Sequence, residues 1–207
     1  MPFRSFYLSV ARLTVVGGAT LLVAGCRTSY EDLPTYSEER NLLQVVVETP
    51  AGTNHEIRYS ARDHDFRRVQ QAGSDRVVPF LPYPANVGFI PSTRGSATAR
   101  RTGTGTLTAL VLAESQPSGT IMEVLPVALL MLDNAGEMQT VVVTVPARPS
   151  QQVIAASSWH ELTTQYPGVR EVLHTWYQHH AGRGQVRVVG WRDEHAAERQ
   201  VREAQRR

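Results

Sequence analysis

An α+β fold is what the sequence predicts: a curved β-barrel followed by helices packed on its outside. Short β-rich runs recur between clusters of Gly, Pro, Asn and Asp through much of the chain, and regular short strands with turn chemistry between them favour a closed barrel. Two later segments switch to helical spacing, and strands followed by helices in blocks indicate α+β rather than an alternating α/β sheet.

The chain opens on an export-type leader. Arg4 and Arg12 give it a positive start, Leu13 to Val23 is apolar apart from Thr14 and Thr20, and the run closes on Leu22-Val23-Ala24-Gly25-Cys26. That apolar stretch is short for a membrane span, and small residues directly before a lone cysteine resemble a bacterial lipobox, so residues 1–25 are expected to be removed and Cys26 lipidated. An uncleaved anchor helix is the alternative; either places the domain outside the cytoplasm, on a periplasmic or outer-surface face of the cell envelope. Residues 26–40 are polar, contain Pro34, and read as a lipidated tether.

The domain proper is expected over 41–192. Leu42 to Glu48 is β-rich and stops at the turn chemistry of Thr49-Pro50-Ala51-Gly52. Further strands are expected at Glu56 to Ser60, Phe66 to Val69, Leu107 to Leu112, Ile121 to Leu132 and Gln139 to Val145. Ser158 to Tyr166 is a helix candidate with Ser157 or Ser158 as N-cap and Glu161 behind it. Val169 to His180 places Val169, Val172, Leu173 and Trp176 on one helical face. Gln185 to Trp191 reads as a last strand, and 193–207 as a charged C-terminal helix or tail with a solvated face.

Charge and cysteine content narrow the function classes. The chain holds 21 basic and 19 acidic residues. Two of the basic ones, Arg4 and Arg12, leave with the leader, so the mature chain is near neutral, without the basic surplus of nucleic-acid binders. Cys26 is the only cysteine, so neither a disulfide framework nor a thiolate metal site is available. His160, His174, His179 and His180 show no His-x-x-x-His pair with a carboxylate nearby, and no Gly-x-Ser-x-Gly elbow is present. Gly103-x-Gly105 lacks the third glycine and following helix of a dinucleotide fingerprint. Trp159, Trp176 and Trp191 read as packing residues rather than base-stacking platforms.

Several segments, taken in order, resemble the soluble inorganic pyrophosphatases. These are Val45-Val46-Val47-Glu48-Thr49-Pro50-Ala51-Gly52-Thr53-Asn54, Pro82-Tyr83-Pro84-Ala85-Asn86-Val87-Gly88-Phe89-Ile90-Pro91, Leu107 to Leu112, Pro126-Val127-Ala128, Asp133-Asn134-Ala135-Gly136-Glu137, Val141 to Pro146, Tyr177 and Gly190-Trp191. Each piece is a common strand and turn pattern; their collinearity from Leu42 to about Trp191 carries the likeness. The resemblance implies a five-stranded, highly curved barrel of the oligonucleotide-binding type, with the active site at one mouth.

That family hydrolyses pyrophosphate to phosphate, a reaction in which divalent ions neutralise phosphate oxygens and acidify a bound water. Mg²⁺ needs hard oxygen ligands in octahedral geometry. The resemblance assigns Glu48 and Asp133 as metal ligands, Tyr83 and Asp133 as catalytic, and Arg58, Arg68 and Tyr177 as phosphate-binding. The Arg68 assignment requires a longer loop, Val69 to Leu81, than the family uses.

Departures from the pattern are severe. Anchored on Leu107 to Leu112, the family's Asp-Gly-Asp-Pro-x-Asp becomes Gly-Thr-Gly-Thr-Leu-Thr, so Gly103, Gly105 and Thr108 replace three metal-binding Asp. Ser60 stands where another acid is expected, Val87 replaces a tyrosine, Met138 the second hairpin acid, Thr140 a lysine and Gln178 a lysine. Mg²⁺ is the implied cofactor if the enzyme is active, and the loss of carboxylates implies weak or absent hydrolysis. Asp63, Asp65, Asp75 and Glu114 are the acids that a relocated site would use. The alternative is a non-catalytic envelope domain that binds a phosphate-bearing ligand or a protein partner. The resemblance also admits a homo-oligomer, and the N-terminal lipid implies membrane attachment. Arg94, Arg100 and Arg101 in the loop Pro91 to Thr106 offer guanidinium forks to an anion; a solvated surface loop accounts for them more simply.

Overall fold

The computed structural model describes residues 29–96, 105–182 and 184–205. The leader with Cys26, and Arg100, Arg101 and Gly103, lie outside these. No helix among the described residues is long and apolar enough to cross a membrane.

The strands are β1 (Leu43–Thr49), β2 (Ile57–Ser60), β3 (Asp65–Arg68), β4 (Gln70–Gln71), β5 (Ser74–Asp75), β6 (Asn86–Ile90), β7 (Leu107–Val111), β8 (Ile121–Asn134), β9 (Glu137–Pro146) and β10 (Val186–Asp193). The α-helices are α1 (Trp159–Gln165), α2 (Pro167–His179) and α3 (Glu194–Ala204). The expected α+β class is what forms.

The main sheet runs β1-β6-β7-β9-β8-β10, and β1 also pairs with β8. The first half of β1 lies on β8, with Leu43 opposite Val124, and the second half on β6, with Val46 opposite Phe89. Five strands are thus joined in a circuit through two half-length ladders, a strongly curved and partly open barrel. β10 is a sixth strand, paired along the outer part of β8. Bulges between Val47 and Thr49 and between Pro126 and Ala128 supply local bending, and Pro126, which has no N–H for the ladder, sits at one of them.

Gly88 is required where β6 crosses β1. A Cβ there would lie 2.0 Å from the Val46 carbonyl oxygen, so no larger residue fits without moving the strands. The buried Asn86 ties this crossing to its surroundings: its Oδ1 accepts the Ala51 and Gln116 N–H groups, and its Nδ2 donates to the Glu114 carbonyl at 2.9 Å.

Strand alternation produces two cores. Leu110, Leu130, Val141, Val143 and Val145 pack with Leu162, Leu173 and Trp176 of α1 and α2. Val45, Val47, Ala109, Val111 and Val142 pack with Ala197, Val201 and Ala204 of α3. The C-terminal segment, expected as a charged helix or tail with a solvated face, forms a helix whose inner face is buried. Asp193 caps it by accepting the Ala196 N–H, and small apolar residues at helical spacing bury its inner face.

The N-terminal segment departs from the tether expectation in the same way. Tyr30 meets Tyr59 and Phe66 edge-on at 5.4 and 5.2 Å. Thr35 donates to the Pro91 carbonyl, and Tyr36 bridges Leu43. Polar composition concealed these few aromatic and hydroxyl anchors.

Strand β6 and the β4–β5 hairpin were absent from the expected strands. The hairpin turns at Ala72-Gly73, both with positive φ, as a two-residue hairpin turn requires. On α2 the buried face is Leu173, Trp176 and Tyr177, whereas Val172 is exposed. Helix α1 starts as expected: Ser158 accepts the Glu161 N–H, and the Glu161 carboxylate accepts the Ser157 N–H.

Candidate active site

A cavity of about 410 Å³ opens at one end of the barrel, lined among others by Glu48, Glu56, Arg58, Arg76, Tyr83 and Tyr177. Strand β1 presents Glu48 at its end, where Glu48 Oε1 accepts the Tyr59 N–H at 2.9 Å. Burial pushes the Glu48 carboxyl up to about 7, a rise that the Tyr59 N–H and the Arg58 charge oppose.

Glu56, just before β2, is buried and joins two arginines. Arg58 Nε lies 2.6 Å from its Oε1, and Arg76 Nη1 lies 2.9 Å from its Oε2. Backbone pairing holds the three in place, since Val69 N–H donates to the Glu56 carbonyl and Arg76 N–H to the Val69 carbonyl. One carboxylate therefore clamps two guanidinium groups at the floor of the cavity.

The aromatic wall comes from α2 and from the segment before β6. Tyr83 packs against Trp176 at 4.8 Å between ring centroids, and His180 stacks on Trp176 at 4.4 Å. Trp176 itself is core, its Nε1 donating to the Leu81 carbonyl. Burial raises the Tyr83 hydroxyl above its usual range, with Glu56 adding to the effect, and raises Tyr177 as well. Burial lowers His180 and favours neutral imidazole. Thr108 of β7, Asn134 of β8 and Gln139 of β9 line the cavity from the strands of the main sheet.

The structure thus brings together Glu48, Arg58, Tyr83 and Tyr177, as the resemblance implied, and excludes two other expected residues. Asp133 does not face this cavity. Its Oδ2 accepts from Arg187 at 2.7 Å and its Oδ1 from the Gly136 N–H at 2.7 Å, which hold the carboxyl below the usual range. It lines a separate shallow depression with Gln178 and His179. Neighbours on a strand point to opposite faces, so Leu132 and Asn134 occupy the cavity side while Asp133 turns away.

Arg68 is the second correction. It is exposed on β3 and paired with Asp75 at 2.7 Å. The β4–β5 hairpin takes up the extra chain of the long loop, and Arg76, directly after it, lines the cavity where Arg68 does not. Glu56 and Arg76 were missed by sequence reasoning. The signal for Arg76 was Gln70-Gln71-Ala72-Gly73-Ser74-Asp75, a hairpin pattern directly before it.

None of Asp63, Asp65, Asp75 and Glu114 lines the cavity. Asp63 and Asp65 pair with Arg67, and Asp75 with Arg68. Cys26, Arg100 and Arg101 lie outside the described residues.

A family model described as inorganic pyrophosphatase matches residues 45–207. The chain belongs to the inorganic pyrophosphatase family. It is 26% identical over 175 residues to an inorganic pyrophosphatase of Neisseria meningitidis, covering 83% of this chain and 92% of that one. An inorganic pyrophosphatase of Halobacterium salinarum is 29% identical over 178 residues, covering 85% and 93%. The crystal structure of the Thermus thermophilus inorganic pyrophosphatase superposes with a TM-score of 0.68 at 25% identity, covering 86% of this chain and 97% of that one.

Membership of the pyrophosphatase family implies a divalent cation, typically Mg²⁺. The residues at this mouth do not fit the several ions that the family's chemistry uses. All 19 acidic residues of the chain lie from Glu31 onward within the described segments, and of these only Glu48 and Glu56 line the cavity. Glu56 spends both oxygens on arginines, and Glu48 holds its proton to about neutral pH. No group of three or more His, Cys, Asp or Glu that could hold a metal ion occurs among the described residues. Mg²⁺ strips water reluctantly and favours carboxylate oxygens; glycine, threonine, serine and methionine stand where the resemblance placed them.

Proposed function

We propose that this protein is a lipid-anchored envelope member of the inorganic pyrophosphatase family whose mouth binds a phosphate-bearing ligand and whose hydrolysis of pyrophosphate is impaired. The observation that carries the reading is the clamp of Glu56 on Arg58 and Arg76 in the cavity, beside two buried tyrosines and with no further carboxylate than Glu48. Two guanidinium groups fixed by one carboxylate leave an excess of positive charge at the floor, suited to an anion.

Arg76 and Arg58 orient the ligand's phosphate oxygens; Tyr83, whose hydroxyl burial keeps protonated, donates a hydrogen bond rather than serving as a base. Glu48, with a carboxyl near 7, exchanges a proton at the edge of the site around neutral pH. A divalent cation, when the family's enzymes bind it, neutralises the phosphates and activates water. Anchoring at Cys26 rests on the lipobox-like run that ends the leader.

The deciding experiment is phosphate release from pyrophosphate by the chain from Cys26 onward, with Mg²⁺, Mn²⁺ or Zn²⁺, next to Glu48→Ala. The expected result is little or no release from a folded protein, with phosphate binding retained without metal. Robust turnover that Glu48→Ala abolishes overturns the impairment. Failure of phosphate and pyrophosphate to bind the metal-free protein removes the ligand reading and leaves recognition of an envelope protein.

A further inference from the structure

The two ends of the cavity differ in chemistry. The floor holds Arg58, Arg76 and Glu56, while the wall formed by β7, β8 and β9 offers Thr108, Asn134 and Gln139. At Thr108 the resemblance placed a metal-binding Asp on this wall. The wall is now a surface of hydroxyls and amides, each of which both donates and accepts hydrogen bonds.

Gln139 gives this wall its direction. The residue lines the cavity, and its side-chain nitrogen is enclosed, with no hydrogen-bond partner among the described residues. Buried donors are almost always paired in native proteins, and an exception calls for an explanation. A turn of this amide toward the cavity, which the residue already lines, would pair it with a ligand oxygen.

Charge limits the phosphate end. Glu56 already neutralises one of the two arginines, so the floor carries about one net positive charge beside Glu48. Arg76 gives Glu56 its Nη1 and has five N–H donors in all. A single phosphate group matches that floor better than pyrophosphate does, whose greater charge the family offsets with metal ions. The volume of about 410 Å³ falls within the roughly 300–1,000 Å³ typical of sites for small organic ligands.

We propose that the mouth takes a phosphate monoester of a polyhydroxylated, sugar-like body without a metal ion, its phosphate at Arg58 and Arg76 and its hydroxyls along Thr108, Asn134 and Gln139. This rests on the ligand-binding reading above and names its ligand class. Gln139 then sets selectivity through the ligand's hydroxyl oxygens, and the arginines set affinity for the phosphate.

The test is calorimetric titration of the chain from Cys26 onward, in EDTA, with glucose 6-phosphate, glucose and inorganic phosphate as probes. Glucose 6-phosphate is expected to bind at least ten-fold more tightly than inorganic phosphate, and glucose alone too weakly to measure. Gln139→Leu, and separately Asn134→Ala, are expected to bring the ester down to the level of inorganic phosphate, with melting temperature and phosphate binding kept. Arg76→Gln should weaken both anions. Inorganic phosphate binding as tightly as the ester overturns the sugar-like class and leaves the anion-binding reading standing. An ester that binds only with Mg²⁺ overturns the metal-free site. No binding by any probe overturns both readings.

Discussion

Two arginine–carboxylate clusters on the same stretch of chain have opposite fates. Glu56 with Arg58 and Arg76 lies inside the mouth, with the Glu56 side chain 7% exposed. Asp75 with Arg68 lies one hairpin away on the surface, with the Arg68 side chain 55% exposed. The functional groups are alike, and the contact lengths are 2.6 and 2.9 Å inside against 2.7 Å outside. What separates them is solvent. Water screens the outer pair and competes for its hydrogen bonds, so such contacts contribute little. Inside, the Glu56 carboxylate is shielded although its two arginines keep some solvent, so it is this carboxylate that depends on its partners.

The widest separation should come from truncating each carboxylate. Glu56→Ala leaves two partly buried guanidinium groups without their shared carboxylate, and urea unfolding at pH 7 should show a loss of roughly 3–5 kcal/mol, nearer the lower figure because the arginines keep some solvent. A loss no greater than that of Asp75→Ala would erase the contrast. Glu56→Gln, which keeps the shape but weakens both bonds, should fall between the two.

A second expectation concerns pH. Glu48 holds its proton up to about 7 in the folded state because it is buried, against an ordinary value of 4.5. Between those values the unfolded chain releases the proton while the folded chain keeps it, so stability falls as pH rises through this window and levels off above about 7. Glu48→Gln keeps an oxygen for the Tyr59 N–H and has no charge to bury. Relative to the native chain it should gain up to about 3 kcal/mol between pH 5 and pH 8, since a ten-fold change in proton affinity is worth about 1.4 kcal/mol. Parallel pH profiles for the two proteins would show that Glu48 is already ionised in a solvated setting.

A smaller effect is expected at Asp133. Its carboxyl is held low by Arg187 and the Gly136 N–H, so the stabilisation is present at neutral pH and fades as pH falls through the carboxylate range. Asp133→Asn should lower the melting temperature slightly at pH 7, not at pH 3, and leave phosphate affinity unchanged. A ten-fold loss of phosphate affinity would place Asp133 back at the mouth. The smallest change is expected at the outer cluster: Arg68→Ala should leave both the urea midpoint and phosphate binding as they are, whereas Arg76→Ala should weaken binding.

Much of the architecture was legible in the residues. Val45-Val46-Val47, Leu107 to Leu112 and Val141 to Val145 are β-branched or aliphatic runs, interrupted only by Thr108 and Thr144, and their burial on both sides follows from that composition. Ser158 and Glu161 marked the start of α1 because capping is a local interaction. Strand β6 was harder to see, since Asn86-Val87-Gly88 is a weak β sequence, and only the close approach of the Val46 carbonyl shows why a glycine sits there.

The site was legible only in part. Glu48, Arg58, Tyr83 and Tyr177 could be placed because they lie in or beside segments of fixed length. Arg68 and Asp133 could not, for two different reasons. An inserted hairpin changes which arginine arrives at a given point in space, and the phase of a strand decides which of two neighbours, Asp133 or Asn134, looks inward.

By itself the sequence determined the strand-then-helix order, the capped start of α1 and the absence of the carboxylate cluster, because local propensity and residue identity are carried by the chain alone. The tertiary structure decided that Glu56 clamps Arg58 and Arg76, that Arg68 and Asp133 lie outside the mouth, that only glycine fits at position 88, and that the two ends of the domain pack into it. Those outcomes depend on barrel curvature, loop length and strand phase, which are set by how distant segments meet.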